Sequence, residues 1–167
     1  MPDTKQPYKR HKFKFNDEFK VVVGADVCVD TQSYNVPKNV LVKSSDFLRK
    51  ACNKEWAEGQ TKVVHLPEAK PKPFEIYLQY LYSGDVVLAE EIKFPAAGDK
   101  SEEAREDVTK AQVLVIDSYI LADMLLDIDA KNALVDQLVF LTKRGRSLLP
   151  ASVIQELFAA TTKESPM

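Results

Sequence analysis

Apolar and polar positions change period several times along the chain, and each period asks for a different element. "KFKFNDEFK" alternates into Val21, Val22 and Val23, and Val27, Cys28 and Val29 follow after "GAD". β-branched runs divided by glycine and aspartate predict two early strands joined as a hairpin. In "YNVPKNVLVKSSDFLRKACNKEW" the alternation stops. Pro37 suits the start of a short helix with Val40 and Leu41 on its apolar side. Ser44 or Ser45 then reads as the N-cap of a second helix that buries Phe47, Leu48, Ala51 and Cys52. Gly59 is expected to end the irregular piece after it. "TKVVHLP" predicts a short strand stopped by Pro67, and "EAKPKP" a linker whose prolines suit neither a helix interior nor a central strand.

Pro73 is placed to open a helix in which Phe74, Tyr77, Leu78 and Leu81 repeat at i, i+3, i+4, i+7 until Ser83 and Gly84 stop it. From Leu88 to about Lys110 the chain turns acidic and offers few core anchors, so residues 89–110 are expected to form an exposed insertion. Two helices follow. Val113, Ile116, Ile120 and Met124 line the first, and Ala130, Leu134, Leu138 and Leu141 the second. Asp127 or Asp129 would cap the second, with Lys143, Arg144 and Arg146 at its C-terminal end, where cations suit the helix dipole. "LPASVIQELFAATTKESPM" offers a last helix from about Pro150, with Val153, Ile154, Leu157 and Phe158 apolar. Strands, paired helices, a strand and further helices make an α+β pattern: a small sheet packed against a cluster of helices. The expected division is a basic leader over 1–18, one domain over 19–142 and a C-terminal helical extension over 143–167.

Composition narrows the class without changing this outline. A chain of 167 residues suits one domain with a sizeable core. Apolar residues at 45 % and charged ones at 29 % point to neither a disordered nor a membrane chain. No window offers the roughly eighteen apolar residues of a membrane helix, and "MPDTKQPYKRHKFKF" lacks the apolar stretch of a signal peptide, so an intracellular protein, cytoplasmic or nuclear, is expected. The two cysteines, Cys28 and Cys52, are expected to be reduced, buried thiols. A net charge of −2 provides no global field for nucleic acid. "YKRHKFKF" is locally basic, and it carries the alternative reading of a nuclear or chromatin-associated scaffold whose leader contacts phosphates.

Four stretches resemble a known family in order and spacing: "VVVGADVCVDTQSYNVPKNVLVKSSDFLRKA", "EWAEGQTKVVHLPE", "FEIYLQYLYSGDV" and "IDSYILADMLLDIDAKNALVD". Together they cover about residues 19–140 and are similar to the BTB/POZ domain, in particular to the single-domain BTB proteins common in fungi. The chain departs from the family at Pro37, where histidine is usual, so no role is carried onto that position. The tail "VIQELFAATTKESPM" resembles the segment after the BTB core in fungal members, where the chain often continues, and this polypeptide is therefore expected to belong to a longer protein. The resemblance implies an α+β BTB fold and a function in protein–protein interaction, through homotypic assembly or adaptor recruitment.

Catalysis finds little support in the residues. His11 lies in the basic leader and His65 in a strand, where it is expected to be half-buried, and there is no CxxC, HExxH, phosphate-cradling loop or nucleophile elbow. Cys28, Cys52 and His65 lack ligand spacing, so neither a metal nor another cofactor is expected. Glu102, Glu103, Glu106 and Asp107 read as a solvated face. Binding is better served, because Trp56, the one tryptophan, sits among charged and small residues with Glu58 two positions on. The resemblance implies a role for them. BTB adaptors of cullin-RING ubiquitin ligases carry a hydrophobic-x-Glu motif in the loop before this strand, and Trp56-Ala57-Glu58 matches it in type and place. Trp56 would then press on an apolar patch of the cullin while Glu58 positions the loop. A structural Trp56 that closes the helix pair is the competing reading, and its burial separates the two. A homodimer is the second possible assembly, through an apolar strip at Phe13, Phe15 and Phe19, although "KFKFNDEFKVVV" is too short and strand-like for a long exchanged helix.

Overall fold

Among the described residues, three short strands form a mixed sheet of order β2-β1-β3. In the computed structural model, which describes residues 17–25, 31–88, 101–145, 151 and 154–155, β1 (Glu18–Val23) is the central strand. Its side chains alternate as the pleat requires, with Phe19, Val21 and Val23 buried and Glu18 and Lys20 exposed. β2 (Gln32–Pro37) runs antiparallel to β1, pairing Val21 with Tyr34, and β3 (Val63–Leu66) runs parallel, pairing Val22 with His65. The second described strand lies at 32–37; the strand expected at 27–29 falls outside the described residues. The sequence at 32–37, "QSYNVP", shows no strand period because few of its side chains are buried; only Val36 and Pro37 are fully covered.

Three short helices fill the crossover from β2 to β3: α1 (Lys38–Leu41), α2 (Asp46–Ala51) and α3 (Ala57–Thr61). Pro37 precedes α1, and Ser45 caps α2, as expected. Leu48 and Cys52 are buried on α2, while Phe47 is exposed. Gly59 ends nothing: it lies buried within α3.

α4 (Pro71–Ser83) starts two residues earlier than the expected Pro73. Both prolines fit because the N–H groups of a first turn have no acceptor within the helix. Gly84 stops it with a left-handed φ of 81°, its N–H donating to the Tyr80 carbonyl at 2.8 Å. α5 (Glu102–Met124) absorbs part of the expected acidic insertion. Ser101 caps it by accepting from the Ala104 N–H at 3.2 Å, Glu102 and Glu103 favour its N-terminal dipole, and Ala104, Val108 and Ala111 are buried at helical spacing. Residues 102–110 are helical, and 89–100 lie outside the described residues.

The buried stripe of α5 continues through Val115, Ile116 and Leu121, so the expected stripe is correct at Ile116 and rotated elsewhere: Val113 and Ile120 are half-buried and Met124 is exposed. α6 (Ile128–Gly145) packs against α5 through Ala130, Leu134, Leu138 and Leu141, the expected face. α4 packs on the other side of α5, and the sheet, the short helices and these three long helices share one core around Phe19, Phe74 and Tyr77. Cys52 is a free thiol in that core, pushed up to about 11 by burial, whereas Cys28 lies outside the described residues. So do the leader through residue 16 and most of the C-terminal extension; Ala151, Ile154 and Gln155 are helical and exposed. Among the described residues no helix is long and apolar enough to cross a membrane.

Candidate protein-interaction site

Trp56 sits on the loop between α2 and α3, and both ends of α2 are held. At its start the Ser45 hydroxyl accepts from the Leu48 N–H at 3.0 Å and donates to the Leu125 carbonyl at 2.6 Å. Beside it, the Ser44 hydroxyl donates to Asp127 Oδ2, to which Tyr77 also donates at 2.8 Å. The Ala130 N–H donates to Asp127 Oδ1 at 3.0 Å, so this buried carboxylate caps α6 while joining α2, α4 and the α5–α6 turn. Burial, followed by the charge and hydrogen bond of Asp127, drives the Tyr77 hydroxyl far above the ordinary tyrosine range, so it stays protonated as a donor. Asp127 was legible as a cap; its partners Tyr77 and Ser44 were not, because they lie far from it in sequence.

After α2 the backbone is bonded turn by turn. The Asn53 N–H donates to the Lys50 carbonyl at 2.9 Å, the Trp56 N–H to the Asn53 carbonyl at 3.0 Å, and the Gln60 N–H to the Trp56 carbonyl at 3.2 Å. Gly59 permits this closure. A methyl group there would stand 1.9 Å from the Asn53 carbonyl oxygen, so the two backbones could not approach as they do. Lys62 ends α3 in a left-handed conformation, φ 57°, and its ammonium pairs with Asp17 at 2.8 Å, at the mouth of β1. That pairing holds the Asp17 carboxyl below its usual range. Trp56 thus has an anchored backbone and a side chain that is 58 % exposed. Glu58 follows in the first turn of α3, half-buried. Phe47 on α2, and Met124 and Leu126 at the α5–α6 turn, add exposed apolar side chains around the joint that Ser44 and Ser45 make.

The structure treats the other candidates differently. Phe19 is only 2 % exposed, with the Lys38 ammonium 5.7 Å from its ring centre, so it belongs to the core and to no surface strip. Its position on the inward face of β1 is the reason. Phe13 and Phe15 lie outside the described residues. His65 points outward from β3 and is exposed, not half-buried. Glu106 and Asp107 each pair with Lys110, at 3.6 and 3.9 Å, on the solvated side of α5. Among the described residues no three His, Cys, Asp or Glu side chains are grouped to hold a metal.

Residues 16–98 match the family model of the BTB/POZ domain, a span that runs from just ahead of β1 past the end of α4 and includes the Trp56 loop. No curated protein matches the chain. With a small three-stranded sheet set against helices and this match over the sheet and first four helices, the chain is a BTB/POZ-domain protein, built on a protein–protein interaction module.

Proposed function

We propose that the protein is an adaptor that docks on a cullin scaffold of a ubiquitin ligase through Trp56 and Glu58. The observation that carries the reading is the exposed Trp56 ring on a braced loop. A tryptophan left largely in water costs solvation that a core position would recover, and rigid aromatic anchors are what interface hot spots use. Glu58, two residues on and half-buried at the start of α3, is placed to hold the loop's orientation while the ring meets an apolar patch. A cofactor has no part in this reading.

A pull-down with a purified cullin scaffold tests it, comparing the wild type with a Trp56→Ala, Glu58→Ala double variant. Truncating a hot-spot tryptophan costs about 2 kcal/mol or more, roughly thirtyfold in affinity, so capture should fall to background at micromolar scaffold. Equal capture of both proteins, or capture of neither, would remove the proposal.

A further inference from the structure

α6 turns a second, outward face that its packing against α5 leaves open. Ile128 is 70 % exposed, Val135 44 % and Val139 45 %. Their spacing of i, i+7, i+11 sets them in one line, away from the buried Ala130, Leu134 and Leu141. With the exposed Asn132 four residues after Ile128, the line has the form of a helix-pair seam: Ile128 and Val135 make one row, Asn132 and Val139 the other. Beside the seam, at i, i+7 and i+14, stand Asp129, Asp136 and Lys143, all exposed. None of the three is held in an ion pair among the described residues.

We propose that a second copy of the chain docks on this face, its α6 packed antiparallel against the first about a two-fold axis. The row of charges selects both the occupant and the direction. An antiparallel pair sets this flank of one helix against the same flank of the other, so Asp129 of each copy meets Lys143 of the other. The same alignment brings Val135 of each copy against Val139 of the other at the centre of the seam. A parallel pair would instead set Asp129 against Asp129 and Lys143 against Lys143, two like-charge contacts. The helix dipoles also oppose one another in the antiparallel arrangement. One mismatch remains, because Asp136 lies near the axis and faces Asp136 of the other copy. A contact confined to one helix per subunit falls in the class below about 1,200 Å², so the association is weak and reversible.

Sedimentation equilibrium of the full chain at loadings from about 10 to 300 µM tests the assignment, since mass action carries a weak dimer across that range. The wild type should rise from the monomer mass toward twice that value. Asp129→Lys and Lys143→Asp, each alone, turn both ion pairs into like-charge contacts and should raise the dissociation constant about tenfold. The Asp129→Lys, Lys143→Asp double variant should recover wild-type association. Both positions are exposed, and the double variant keeps any cost that either change brings to the fold, so its recovery reports on the interface alone. Asp136→Asn should tighten the dimer by removing the mismatch at the axis. A wild type that stays monomeric throughout, a dimer indifferent to the single charge reversals, or a double variant no stronger than the singles would overturn the proposal.

Discussion

Replacing Gly59 with alanine sets two effects of opposite sign against each other. Within a helix, alanine is favoured over glycine by about 1 kcal/mol, and Gly59 has no positive φ to protect, so propensity alone predicts a stabler protein. The structure predicts the reverse. The added methyl would lie 1.9 Å from the Asn53 carbonyl oxygen, 2.4 Å from its carbon and 2.9 Å from the Lys54 nitrogen. All three are backbone atoms, and that carbonyl already accepts the Trp56 N–H, so no side-chain rotation relieves the overlap. Overpacking of this kind costs about 3 kcal/mol, the upper end of its usual range. The net loss is about 2 kcal/mol, a fall in Tm of roughly 4–8 °C for a domain of this size. Calorimetric unfolding of Gly59→Ala beside the wild type measures it. An unchanged or higher Tm would refute the claim that glycine is required by close approach.

Tyr77→Phe removes the buried donor to Asp127 and should lower the unfolding free energy by about 1.5–3 kcal/mol, seen as a lower urea midpoint at unchanged slope. Cys52 should resist thiol reagents at pH 8 in the folded protein and react on unfolding. Its folded value, about 11, lies above the ordinary 9.0, so the unfolded chain loses its proton first: this contribution is intact below pH 9 and is lost as pH climbs toward 11. Urea midpoints at pH 8 and pH 10 should differ in that direction.

The parts of the fold that were legible are those where local chemistry and burial agree. Ser45 as a cap, Gly84 as a stop and the Ala130, Leu134, Leu141 face of α6 all follow from rules that act within one or two turns. The strand at Gln32–Pro37 was not legible because it buries too little to show its period. The start of α5 was hidden because Ala104 and Val108 are its only buried residues before Lys110, among charges that also suit a loop. At the candidate site, the types and spacing of Trp56 and Glu58 were readable, whereas their bracing was not. Gly59 meets Asn53 only after the loop closes, and the joint of Ser44, Ser45, Tyr77 and Asp127 brings together residues up to 83 positions apart. Phe19 failed as a surface residue for the converse reason: alternation identifies two faces of a strand and not which one the helices cover.

Because the chain contains one tryptophan, fluorotryptophan labelling places a single ¹⁹F resonance on Trp56, and an unlabelled cullin scaffold adds none. Titrating the scaffold should shift or broaden that resonance to saturation as the exposed ring is enclosed. A resonance that stays put at saturating scaffold would contradict the account.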